Sequence, residues 1–136
     1  MSIYISRSIK KLVIARADYR CEYCRVPAYL SNFDYHIEHI IGLQHGGPNT
    51  QSNLAYCCST CNWKKGPNIS TILEMNGALI PLFNPRTQNW HEHFSSFNGK
   101  IEPKTIIGEA TIKLLELNTP EKIEERFEMI LSGFYP

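Results

Sequence analysis

The stretch of sequence that decides the fold is residues 35–62, YHIEHIIGLQHGGPNTQSNLAYCCSTCN. Two short apolar runs, at 35–41 and 53–58, are compatible with β-strands, and a glycine-rich connection lies between them. Ser59 is a residue type that caps helices, and the Gly-Pro pair at 66–67 would end one. The order strand, loop, strand, helix is therefore predicted.

Two CxxC pairs frame the first strand and the loop, namely Cys21–Cys24 and Cys58–Cys61. Each pair places two thiolates on one turn, and two such turns complete a tetrahedral zinc site. In a strand, Cys57 would point away from Cys58, so we expect Cys57 to be a small buried side chain outside the site. We predict a structural Zn²⁺ held by the four paired cysteines, with metal-free core cysteines as the alternative.

The composition is that of an ordinary folded protein. The chain has 136 residues, of which 43% are hydrophobic and 20% charged, and this excludes an intrinsically disordered polypeptide. The length predicts one domain over residues 1–136, with a core motif at about 21–66 and a C-terminal packing extension at about 71–136. There is no apolar run long enough to span a membrane and no signal-peptide pattern, so we expect a cytoplasmic protein without a membrane partner.

Charge is distributed unevenly, although the net charge is only +1. Residues 1–25 carry six Lys or Arg against two acids, whereas residues 101–136 carry four against seven. A basic N-terminal segment that faces a polyanion would explain this asymmetry. Ordinary solvated helix faces would explain it equally well.

The flanking segments predict helices and hairpins. Apolar residues recur at helical spacing in 8–19, between 107 and 117, and between 123 and 131, the last after a Thr-Pro start signal. Asn-Gly pairs at 76–77 and 98–99 are typical of tight hairpins. The predicted fold class is therefore α+β: a ββα core stapled by zinc, with an N-terminal helix, additional hairpins and C-terminal helices.

His39 is the residue best suited to chemistry. Imidazole titrates near neutral pH and can accept a proton from water. Glu38 lies beside it and Asn62 lies near the start of the predicted helix, and carboxylate and amide oxygens suit a hard divalent cation. In a regular strand Glu38 and His39 face opposite sides, so one shared site requires the strand to bend or end near residue 39. His36 shares the face of Glu38 and is an alternative ligand.

These residues together resemble the motif of the HNH nucleases of the ββα-metal fold. The matching residues are Glu38-His39-Ile40-Ile41, Gly46-Gly47, Asn53-Leu54, Cys58-Ser59-Thr60-Cys61-Asn62 and Lys65. The similarity continues from Arg16 to Asn118, where the chain resembles a bacterial stand-alone branch of that family with a four-cysteine zinc site.

The resemblance implies a metal-dependent endonuclease that hydrolyses DNA phosphodiester bonds. It makes His39 the general base and Asn53 the residue that ties down the loop and orients that base. Glu38 and Asn62 would hold a catalytic Mg²⁺ or Mn²⁺. Asn62 stands where the last histidine of the motif usually lies, and its amide oxygen favours these hard cations.

Three cations near the motif are candidate nucleic-acid contacts. Lys64 and Lys65 would reach backbone phosphates, and the fork of Arg86 would clamp one. The alternatives are solvated helix lysines and a structural salt bridge for Arg86. Trp63 and Trp90 could stack on bases, but burial in the core is the favoured prediction for both.

Other classes of function stay open from the sequence. The chain could be a zinc-stabilised nucleic-acid-binding or adaptor module without catalysis, or a component of a larger defence or mobile-element system that is active only with partners. A homodimer is a further alternative, because one centre cuts one strand. The joint presence of Glu38, His39, Asn53 and Asn62 favours the enzyme, since an adaptor needs none of them.

Overall fold

The fold was taken from a computed structural model, and it is described for residues 4–136. This part of the chain is α+β, as predicted, and its strands form three antiparallel pairs. The helices are α1 Arg7–Arg16, α2 Ser59–Lys65, α3 Trp90–His93, α4 Ile106–Leu115 and α5 Pro120–Leu131. The strands are β1 His36–His39, β2 Leu54–Cys57, β3 Ser70–Thr71, β4 Ile80–Pro81, β5 Phe94–Phe97 and β6 Lys100–Pro103.

The ββα unit forms in the predicted order. Strands β1 and β2 are antiparallel, with His36 opposite Cys57 and His39 opposite Leu54. Both strands are shorter than the predicted runs, because residues 40–41 and 53 belong to the connecting loop and Cys58 caps α2. Helix α2 follows β2 directly, so the hairpin and the helix form one continuous unit.

The cap of α2 differs from the prediction. Cys58, not Ser59, is the N-cap, and its sulfur accepts a hydrogen bond from the amide of Cys61. The hydroxyl of Ser59 instead donates to the carbonyl of Asp34, at 2.8 Å. The helix ends at Gly66, as expected, with φ of 52°. A candidate metal ligand therefore also begins the helix.

The flanking elements agree with the sequence in type more than in detail. The Asn98-Gly99 pair forms a two-residue turn between β5 and β6, with φ of 51° and 89°. The prediction of a tight hairpin at Asn76-Gly77 is wrong, because eight residues separate β3 from β4 and this pair forms only one turn within the connection. Helix α5 begins with proline, as predicted.

One cluster of buried side chains joins the two CxxC turns to the C-terminal elements. The indole N–H of Trp90 donates to the carbonyl of Tyr23 at 2.8 Å, which ties α3 to the first turn. The outer edge of β2 is covered by Glu22, whose backbone and carboxylate both pair with Tyr56. No helix among residues 4–136 is long and apolar enough to cross a membrane.

Candidate active site and metal sites

The four paired cysteines converge on one point. The sulfur atoms of Cys21, Cys24, Cys58 and Cys61 all lie within 4.8 Å of one another, and those of Cys24 and Cys58 are 3.8 Å apart. A zinc ion with bonds of about 2.3 Å to a tetrahedron of sulfurs requires sulfur separations of about 3.8 Å. The cluster therefore has the size that a zinc ion needs.

The backbone around the cluster is arranged for thiolates. The amide of Cys24 donates to the sulfur of Cys21, and that of Cys61 donates to the sulfur of Cys58, both at 3.4 Å. Cys57 is fully buried but lies outside this group of four cysteines, as predicted. Burial, followed by the charge of Glu38, raises the pKa of Cys57, so this thiol stays protonated.

The imidazole of His39 lies at the end of β1 and is partly exposed. Its Nε2 atom is 2.8 Å from Oδ1 of Asn49, in the loop between the strands. The ring therefore has a polar hydrogen-bond partner and is not buried among apolar side chains. Asn49 was not singled out from the sequence, because an asparagine after proline in a glycine-rich loop is an ordinary turn residue.

Glu38 points to the other face of the hairpin, where α2 lies. Its Oε1 is buried and has no hydrogen-bond partner among residues 4–136. Burial raises the pKa of Glu38 to about 7, although the Lys65 ammonium and the Cys57 thiol both act to lower it. An orphaned, buried carboxylate oxygen is the kind of atom that a bound cation would satisfy.

Asn62 lies on α2 and is half-buried. Its side chain makes no hydrogen bond to the residues that the structure describes, so its amide oxygen is free to bind a ligand. The carboxylate of Glu38 and the amide oxygen of Asn62 are the donor types that fit Mg²⁺ or Mn²⁺. Strand β1 ends at His39, whereas Glu38 lies within the strand and points to the other face, so one site shared by these side chains stays a prediction.

Asn53 holds the loop closed but does not touch His39. Its buried amide accepts from the N–H of Ile41 and donates to the carbonyls of Ile41 and Pro48, all at 2.9 Å. Gly47 packs so closely that a Cβ there would lie 1.9 Å from the carbonyl oxygen of Ile41. The first part of the predicted role, tying down the loop, has this geometric counterpart, and the second part, orientation of the base, stays a prediction.

Two predicted nucleic-acid contacts are corrected by burial. Lys65 is only 2% exposed, and its ammonium donates to the carbonyl of Ile40 at 2.9 Å. Burial lowers the pKa of Lys65, an effect that Glu38 partly offsets. The guanidinium of Arg86 pairs with the carboxylate of Glu22 and donates to the carbonyl of Leu54. Both side chains are therefore occupied inside the protein.

The remaining candidates near α2 are at the surface. The ammonium of Lys64 pairs with Glu116 at 2.6 Å but stays partly exposed. Trp63 is 82% exposed, so the prediction of a buried tryptophan is wrong at this position, whereas Trp90 is buried as predicted.

Comparisons with known proteins agree with this geometry. The model of a family described as HNH endonuclease matches residues 21–77. The Septu protein PtuB of Bacillus thuringiensis is 25% identical over 125 residues, which cover 90% of this chain and 46% of that protein. The chain thus spans about half the length of the curated relative it matches, and no solved structure matches it significantly. Residues 21–77, which contain the ββα unit, are thus the part of this chain that is similar to the HNH endonucleases.

Proposed function

We propose that the protein is a metal-dependent endonuclease that hydrolyses phosphodiester bonds of DNA. The observation that carries the proposal is the end of β1, where a partly exposed imidazole, His39, directly follows Glu38, a carboxylate with an orphaned oxygen. A stable hairpin has no structural need for either group there, and the unpaired oxygen of Glu38 is unfavourable for folding.

The proposed division of labour follows from the chemistry of each side chain. Glu38 and Asn62 would hold one Mg²⁺ or Mn²⁺, which would neutralise charge on the scissile phosphate and on the leaving 3′ oxygen. His39 would accept the proton of the attacking water. Asn53 supports this arrangement by closing the loop that lies against the ring of His39.

We propose that the four-cysteine cluster binds Zn²⁺ in a structural role. The cluster joins the turn at Cys21–Cys24 to the first residues of α2, and so it fixes the helix that carries Asn62. A closed site of four thiolates leaves no position for water or substrate. Zinc would therefore stabilise the fold, while the hard cation would serve the reaction.

Cleavage of supercoiled and linear DNA, with and without added Mg²⁺ or Mn²⁺, tests the proposal. We expect cleavage only with an added cation, and we expect His39→Ala to reduce the rate about 100-fold or more, the usual contribution of a general base. His45→Ala is the matched control, because His45 is an exposed histidine in the same loop. Cleavage by His39→Ala at the rate of the control would refute the assignment.

The adaptor alternative gives a different result in the same experiment. A zinc-stabilised binding module would retard DNA in a gel shift without cutting it under any cation. Sedimentation of the protein with and without DNA would decide whether two copies act together. Lys64→Ala tests the remaining candidate phosphate contact, and we expect it to reduce the salt dependence of binding by about one phosphate contact.

A further inference from the structure

We propose that Asn49 is a positioning residue that fixes the tautomer and the direction of the His39 imidazole. The inference rests on the proposed role of His39 as the general base. It concerns the hydrogen bond between Nε2 of His39 and Oδ1 of Asn49, which measures 2.8 Å. The bond lies within the normal range for a well-formed hydrogen bond.

The direction of the Asn49 amide follows from its second partner. The other end of this amide lies 3.2 Å from the backbone carbonyl of Tyr4. A carbonyl oxygen can only accept, so the atom that faces Tyr4 is the NH₂ group and the atom that faces His39 is the oxygen. The segment before α1 thereby determines which end of Asn49 the histidine meets.

The tautomer of His39 follows from the same reasoning. An amide oxygen only accepts, so Nε2 must carry the hydrogen of the neutral imidazole. Nδ1 is then the atom with the free lone pair, and it has no hydrogen-bond partner within residues 4–136. Asn49 thus leaves Nδ1 as the proton acceptor. In a ring without this partner both tautomers would be populated, and the ring would turn more freely.

Asn49 is itself held by the loop around it. The preceding carbonyl, of Pro48, accepts from the amide of Asn53, and the neighbouring Gly47 amide donates to the carbonyl of Gly42 at 3.1 Å. The clamp by Asn53 therefore reaches His39 through Asn49, across one polar contact. Through this path Asn53 would orient the base indirectly.

The first test needs no enzymatic activity. Long-range ¹H–¹⁵N spectra of the zinc-loaded protein, at a pH where imidazole is neutral, report the tautomer of each histidine, and a His39→Gln sample assigns the signals of residue 39. We expect one tautomer, with the hydrogen on Nε2, in the wild type and a mixture of both in Asn49→Ala. Asn49→Asp should restore the single tautomer, because it retains an oxygen acceptor.

The second test uses cleavage kinetics with the same variants. We expect Asn49→Ala to lower kcat about tenfold to 100-fold, within the range that a general base contributes, with little change in KM. Asn49→Asp should recover most of kcat. Asn32→Ala, an exposed asparagine in another loop, is the control and should match the wild type.

The outcomes separate this inference from the proposed function. An Asn49→Ala protein with the wild-type tautomer, or with kcat within about twofold of the wild type while His39→Ala is inactive, would overturn the role of Asn49 alone. An active His39→Ala protein would overturn the assignment of the base, whatever the spectra show. If none of these proteins cuts DNA, the tautomer measurement still decides whether Asn49 sets the state of the ring.

Discussion

Substitution of Asn53 by alanine removes the clamp that closes the active-site loop. The amide makes three hydrogen bonds, one from the N–H of Ile41 and two to the carbonyls of Ile41 and Pro48. Each contributes about 1 kcal/mol net, so we expect a loss of about 3 kcal/mol in the free energy of unfolding. That is a large fraction of the roughly 5–15 kcal/mol by which small domains are stable.

The chain offers a matched control for this substitution. The amide of Asn118 clamps Ile101 in the same way, accepting from its N–H at 2.9 Å and donating to its carbonyl at 2.7 Å, and it accepts a third bond from Arg126. Asn118→Ala therefore removes the same number of bonds at a place that the proposed chemistry does not use. We expect both variants to lose similar stability, and only Asn53→Ala to lose cleavage.

Urea unfolding and hydrogen exchange give the measurements. A loss of about 3 kcal/mol moves the urea midpoint by roughly 1–2 M for a protein of this size. The amide of Ile41 should lose protection from exchange in Asn53→Ala and keep it in Asn118→Ala. Cleavage is then compared well below both unfolding transitions. Equal loss of cleavage in the two variants, or an Asn53→Ala protein as stable as the wild type, would refute the reasoning.

Three further predictions follow from buried groups. Cys61→Ser should abolish the binding of one zinc per chain, measured by atomic emission, and should unfold the protein, since zinc contributes on the order of 10 kcal/mol to folding. Cys57→Ala is the control and should keep the full zinc content. Because the pKa of Glu38 is raised from 4.5 to about 7, its ionisation disfavours the folded state, and stability is lost as pH rises from about 4.5 to 7. Without added Mg²⁺, Glu38→Gln should be more stable than the wild type by up to about 3 kcal/mol at pH 8 and equal to it at pH 4. Equal urea midpoints of the two proteins at pH 8 would contradict this prediction. Arg86→Ala should destabilise the fold by about 3–5 kcal/mol, because it leaves the carboxylate of Glu22 buried without its partner. It should not change the salt dependence of DNA binding. An Arg86→Ala protein with an unchanged melting temperature and weaker DNA binding would instead support Arg86 as a phosphate contact.

The sequence predicted well those elements whose structure depends on residues close together in the chain. Turn chemistry placed the hairpin at Asn98-Gly99, where both residues adopt positive φ. Proline at the first position of α5 and the paired cysteines depend only on neighbours a few residues away. The ββα order likewise follows from short apolar runs and a glycine-rich break.

The sequence by itself thus determined the ββα order, which four of the five cysteines cluster, and His39 with Glu38 at a strand end. The tertiary structure alone decided the partners of the long polar side chains. Whether a lysine, arginine or asparagine meets solvent or a buried carbonyl depends on segments far along the chain: Arg86 pairs with a residue 64 positions away, and Lys65 with one 25 positions away. Local sequence patterns cannot predict such long-range pairs, because the burial of a side chain depends on all the segments that pack around it.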